Sequence, residues 1–517
     1  MGKKVMCNIL INFKRFLLIS SLILVTISWA QAREAVKFST GDFITMYPGV
    51  PLEKEKALVQ KYITDNKAIE DRDGIDVKAL INGTLPEDTP GISTTIVATE
   101  ALIRYENQKY DPENPVLNDA EYAKKMGYEN IFALPPFAAH DDSFLVPYPI
   151  EARDTFLAAD LNHNITYYKP IYPGDTLYLV VNSRHFLDIT PQEGFIYRSV
   201  AIQTEGSIYN QKGEKVNDVI YRVIENLMNY KEDKRPENPQ RVVPDWLSRP
   251  AHYYTDEDWD LIKDIWSKEK RQGATPLYWE EVKIGDEPAW TLDGPIDTSR
   301  VGGGGGGGRR VIRTGMSTGG ARTLKKEIMD PEIFKTMIRG EKDGIYRLPN
   351  REDYFPVVPV SDITPMGGES GGAPGAQGGP PGTQGGPPDG QNRSTFMNTQ
   401  GRELALRHIS NWMGEHGWFY NIRWSMMSPD NLADFGYIVP ESPLAERFLE
   451  MVPKMKGKHV NAHGITGDVG IVKSYVYDKY VRDNEFFVEL AWWVESIDGY
   501  IWMEGGATVK LPSKNVK

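Results

Sequence analysis

The chain has 517 residues, 40% of them hydrophobic and 11% aromatic, enough for two or three domains around real cores. Its net charge of −12 opposes binding to nucleic acid or to anionic membranes. The single cysteine, Cys7, excludes a disulfide framework and cysteine-ligated zinc.

Residues 1–32 read as a secretory signal. Lys3, Lys4, Lys14 and Arg15 precede the apolar run Phe16 to Ala30, and Ala30-Gln31-Ala32 supplies the cleavage pattern. The run is shorter than the ~20 residues that a helix needs to span a bilayer. Cleavage after Ala32 is the expectation, giving an exported (periplasmic or extracellular) protein; an uncleaved anchor is the alternative. Cleavage removes four basic residues and no acidic one, taking the charge from −12 to −16.

Next comes Arg104 to Phe137, RYENQKYDPENPVLNDAEYAKKMGYENIFALPPF. Asp111, Asn114 and Pro115 form a turn, Asn118 to Ala123 opens an acidic helix, and Pro135-Pro136 closes the stretch. Read from the residues alone, this is an Asx turn with a helix cap. Pro136 to Ala159 is a helix candidate interrupted by Pro147 and Pro149. Ile171-Tyr172-Pro173-Gly174-Asp175 then leads into the strand TLYLVVNSRHF. Phe195 to Tyr209 reads as a second strand, and a turn at 210–214 enters a third, Lys215 to Ile224.

Tyr230 to Gln240 is a charged, proline-containing linker, followed by a helix over Thr255 to Arg271 with Thr255 as its cap. Tyr278 to Glu287 restarts a second unit. Gly302 to Gly308 and Gly367 to Gly390 cannot bury enough apolar surface to offset their ordering entropy. They bound an insert expected to be disordered at about 300–395, which holds one short helix candidate, Asp330 to Arg339. A helix follows over about Gly401 to Met413, with Leu404, Leu406, Ile409 and Trp412 near helical spacing. Another insertion covers Pro429 to Lys458. Ile465-Thr466-Gly467-Asp468 then leads into VGIVKSYVYDKYV, followed by a strand over Glu485 to Glu495 and another over Tyr500 to Leu511. Phe486, Val488, Leu490, Trp492 and Val494 alternate, which predicts one buried sheet face.

The order of elements is thus repeated. That repeat, together with the Asp111–Asn114–Pro115 stretch and the phrase at Tyr278 to Glu287, resembles the MaoC-like acyl dehydratases and (R)-specific enoyl-CoA hydratases. The resemblance covers most of 90–230 and 276–515. It implies an α+β double hotdog, two antiparallel sheets each wrapped around a central helix. The units would be 40–230 and 276–515, with a linker and helix at 231–275.

The family carries Asp-x-Asn-Pro-x-His. Here Asp111 and Asn114 match with one extra residue between them, and Leu117 stands at the histidine position. The resemblance implies Asp111 and Asn114 as catalytic positions. It also implies thioester-oxygen donors near Gly401 or near Phe137 and Ala138, because a helix start offers free N–H groups. For the missing base, His408 on the central helix is the candidate we carry, with His140 and His416 as further choices. Each also reads as an ordinary surface, capping or buried histidine. His459 and His463 lack a carboxylate at helical spacing, so no metal is expected.

The implied activity is water addition to, or elimination from, an acyl or enoyl thioester, with no cofactor besides that substrate. The alternative is an inactive envelope protein that binds an acyl ligand or a protein. No nucleic acid, no membrane span after cleavage, and a monomer or homodimer complete the expectations.

Overall fold

In a computed structural model, the described residues contain twelve strands, ten of them in one antiparallel sheet. The structure describes residues 64, 67–69, 72, 74–135, 137–139, 153–188, 197–228, 252–295, 318–349, 399–425, 447–462, 464 and 467–515. All of them belong to one compact unit, Ser39–Lys517. Residues 1–32, expected to be a signal, and His140, His463, both glycine-rich runs and residues 426–446 lie outside the described residues.

The first half of the sheet contains β1 (Ile92–Val97), β2 (Arg153–Tyr167), β3 (Thr176–Asp188), β4 (Tyr197–Tyr209) and β5 (Lys215–Met228). The second contains β6 (Thr291–Asp293), β9 (Trp418–Ser425), β10 (Gly470–Arg482), β11 (Glu485–Glu495) and β12 (Ile501–Lys510). The spatial order is β1-β3-β4-β5-β2-β9-β12-β11-β10-β6. Each half therefore has the same connectivity, and the halves meet where β2 pairs antiparallel with β9 through His163↔Trp424 and Ile165↔Ile422. A two-residue hairpin, β7 (Ile338–Arg339) with β8 (Tyr346–Arg347), stands apart.

Eight α-helical segments are described: α1 (Val77–Ile81), α2 (Glu100–Tyr110), α3 (Pro115–Asn118), α4 (Ala120–Lys125), α5 (Asp256–Lys268), α6 (Thr318–Met329), α7 (Pro331–Phe334) and α8 (Thr399–Met413). The expected helix of the second half is α8. Leu404, Ala405, Leu406 and Ile409 are buried in its core, and it packs on β6, β10, β11 and β12. Gly470 permits this approach, since a Cβ there would overlap Leu404. The corresponding helix candidate of the first half is mostly outside the described residues, and its last seven positions belong to β2 instead.

Three expectations need correction. The two separate sheets expected are halves of one continuous sheet, joined edge to edge through β2 and β9. The insert is not without structure throughout, since 318–349 form α6, α7 and the β7–β8 hairpin. Ile328 and Ile345 join Tyr254, Trp259, Ile262, Ile265, Trp266 and Leu292 in a second core. Burying a large apolar side chain stabilises by about 1.5–3 kcal/mol, which offsets the entropy lost in ordering 318–349. In addition, β11 is buried on both faces. Ala491 and Trp493 pack with Leu449, Val452 and Met455, from the segment Pro429 to Lys458 that the sequence showed only as an insertion, and with Val460 just beyond it.

Candidate functional site

The segment after β1 is held by local hydrogen bonds that its sequence dictates. Thr99 caps α2, accepting from the Leu102 N–H. The Asn107 amide donates to the carbonyls of Leu117 and Phe132, both at 2.8 Å, which folds the segment back on itself. The Asn114 side chain accepts from the Val116 N–H and so caps α3, whose first residue is Pro115. Asn118 donates to the carbonyls of Asp111 and Asn114. The Asx-turn reading of these residues is therefore correct as local structure.

The same residues reach into the second half. Asn114 donates to Ser410 Oγ at 3.3 Å, and the Tyr122 hydroxyl donates to Glu415 at 2.6 Å. Asp111 is fully buried and takes a two-pronged ion pair from Arg271, with Nη1–Oδ1 at 3.0 Å and Nη2–Oδ2 at 2.8 Å. Arg271 also donates to Asn411 at 2.8 Å, and Asn411 donates to Glu269 at 3.1 Å. Arg407, fully buried, bonds Asp293 through two nitrogens and pairs with Glu269. Lys325 closes the chain onto Glu269 at 2.6 Å.

Burial pulls both guanidinium groups down, but the carboxylates beside them outweigh it, so Arg271 and Arg407 end above their ordinary values. This network ties the segment around Asp111 to α8. It also occupies Asp111, which is a strut to Arg271 rather than an acid poised over a ligand.

His408 is also drawn away from the role considered for it. Its Nδ1 lies 3.2 Å from Thr291 Oγ1 and its Nε2 lies 2.8 Å from Ser474 Oγ. Burial, helped by the charge of Arg407, lowers its pKa to about 3. A neutral imidazole bonded at both nitrogens is a core histidine. The Phe137 N–H is taken by the Leu134 carbonyl at 3.0 Å, so it is not a spare oxyanion donor; Ala138 beside it has φ +58°. Gly401 sits in the first turn of α8. It is twelve residues from Met413, about 18 Å along the axis, so it is not brought to Asn114. His416 is exposed and meets the Ala274 carbonyl.

A cleft lies where Asn114 meets the C-terminal end of α8. Its walls include Leu117, Tyr128, Phe132, Tyr167, Ser410, Met413, Glu415 and Trp418. Tyr167 and Trp418 stack at 4.8 Å across the β2–β9 seam. Its free volume for a water-sized sphere is about 20 Å³, room for about one water molecule. Leu117, at the position of the family histidine, is part of this wall and 2% exposed. Among the described residues no group of three or more His, Cys, Asp or Glu is arranged to hold a metal, and no helix is long and apolar enough to cross a membrane.

Arg271, Glu269, Arg407, Asn411, Tyr122 and Glu415 were missed in the sequence. One signal was present: Arg407 and Asn411, four apart, share one face of α8.

By sequence, no family profile and no curated protein matches the chain. Solved structures do. A MaoC domain protein dehydratase from Chloroflexus aurantiacus aligns at 12% identity and TM-score 0.37, over 82% of this chain and 94% of that one. A Mycobacterium tuberculosis protein described as having a double hotdog fold aligns at 9% identity and TM-score 0.35, over 81% and 94%. The R-hydratase of Pseudomonas aeruginosa aligns at 20% identity and TM-score 0.20, over 29% and 86%. Scores this low leave the fold assignment to the strand order itself.

Proposed function

We propose that this chain is a MaoC-like double-hotdog protein that receives an acyl or enoyl thioester at the Asn114 cleft and adds or removes water there. The observation that carries the reading is the repeated strand order, with the Asp111–Asn114 segment of one half docked against α8 of the other. A seam between two hotdog halves, an amide at Asn114 and an apolar wall are the features such a ligand needs. The amide donates one N–H to Ser410 and has a second to give a thioester oxygen.

A second reading, binding without turnover, is favoured by one specific observation. Asp111 is held in the Arg271 ion pair and Leu117 replaces the histidine, so the family's own acid/base pair does not operate here. Crotonyl-CoA decides between them. Loss of its enoyl-thioester absorbance, above a boiled control, supports water addition. Thermal stabilisation by crotonyl-CoA with no absorbance change supports the second reading. Neither effect would sink both.

A further inference from the structure

The cleft contains three titratable groups among its described walls: Tyr128, Tyr167 and Glu415. The two phenols are poor proton carriers. Tyr167 is fully buried, donates to the Ala133 carbonyl and accepts the Ile171 N–H at 3.2 Å. Burial raises it far above its ordinary value and raises Tyr128 to about 12. That leaves a carboxylate.

Glu415 follows directly on α8 and is 8% exposed. Its N–H donates to the Gly273 carbonyl at 3.0 Å, and its Oε2 accepts the Tyr122 hydroxyl at 2.6 Å. The side chain is thus fixed at one end by backbone and at the other by a phenol. It shares the cleft with Asn114, Ser410 and room for about one water.

The geometry points to Glu415 as the proton-transfer residue of this site, standing in for the histidine that Leu117 replaces. This rests on the thioester reading above and names the base which that reading lacks. As water adds, its oxygen bonds to the β-carbon of the enoyl thioester while Glu415 takes one of its protons. The C=C electron pair moves toward the thioester carbonyl as an enolate, with the Asn114 amide N–H at that oxygen. Glu415 then returns the proton to the α-carbon, and the product is a 3-hydroxyacyl thioester. Elimination is the reverse. One carboxylate serves both transfers, so no oxidant, metal or second base is required.

The experiment uses the full mature chain, crotonyl-CoA turnover and crotonyl-CoA binding by calorimetry. In Glu415→Gln, kcat is expected to fall about 100-fold or more with KM within about threefold, as expected for loss of a general base. Glu415→Asp keeps a carboxylate but shortens its reach, and an intermediate kcat is expected; it also serves if the Gln variant does not fold. A Glu415→Gln enzyme within threefold of wild type in kcat overturns the assignment and leaves the thioester reading standing. Wild-type binding without turnover overturns the Glu415 assignment and the water-addition reading together, and leaves only the binding reading. Wild-type protein that neither binds nor turns over crotonyl-CoA overturns the thioester reading and the Glu415 role with it.

Discussion

Replacing Arg271 with alanine should cost more stability than any other single change at the cleft that leaves the apolar walls intact. The variant loses both bonds to Asp111 and the bond to Asn411, and leaves a carboxylate with 0% side-chain exposure without its cation. Removing one member of a buried pair costs about 3–5 kcal/mol. Arg271 retains 25% side-chain exposure, so water can reach part of the site and the lower end, about 3 kcal/mol, is the expected loss. Urea denaturation followed by tryptophan fluorescence measures it, because Trp259 and Trp266 lie on α5, directly before Arg271. Adding Asp111→Asn to Arg271→Ala removes the stranded charge and should recover about 1–2 kcal/mol, the coupling expected of groups in direct contact. An Arg271→Ala protein within about 0.5 kcal/mol of wild type, the range of ordinary surface changes, would refute the claim that this pair holds the segment in place.

Glu504 and His408 should together shape the pH dependence of folding. Burial raises Glu504 to about 7 from 4.5, and its Oε1 has no hydrogen-bond partner. The folded state keeps that proton while the unfolded state loses it, so stability falls as pH rises from 4.5 to 7, by on the order of 3 kcal/mol. His408 is lowered from 6.5 to about 3, so its contribution is complete above pH 6.5 and is lost as pH falls toward 3. The two slopes cancel, so stability measured by denaturant should show a plateau between about pH 4.5 and 6.5, and Glu504→Gln should turn that plateau into a rise that levels off near pH 6.5; a steady rise through pH 7 in the wild-type protein would contradict the Glu504 part. Gly505→Ala places a Cβ onto the Trp492 ring and the Arg423 carbonyl oxygen. Overpacking against backbone should cost about 3 kcal/mol or more, and a melting temperature within a degree or so of wild type would show that β12 yields at that point.

Legibility in the sequence tracked the range of the physics. The helix α8 came through because Leu404, Leu406 and Ile409 repeat along one short segment, and β3 to β5 and β10 to β12 came through because alternation is a local signal, whereas β1, β2, β6 and β9 were not read as strands. The β2–β9 seam was not readable, since alternation fixes which face a strand buries and not which strand lies beside it. Asp111 was located but its role was not, because its partner Arg271 is 160 residues away. His408 was misassigned for the same reason: Thr291 and Ser474, which seal it, come from opposite sides of the chain. Glu415 carried no motif, and only the fold brings Tyr122 to it across 293 residues.

The two ends of the long sheet differ, and that difference bears on self-association. At one end β6 has three residues, all buried, and the Trp266 indole occupies the Leu292 carbonyl at 2.9 Å. Such a terminus offers no template to an incoming strand. At the other end β1 presents Ile92 and Val97, 37% and 54% exposed. Edge-to-edge pairing through the β6 end is thereby closed off, whatever meets the chain elsewhere.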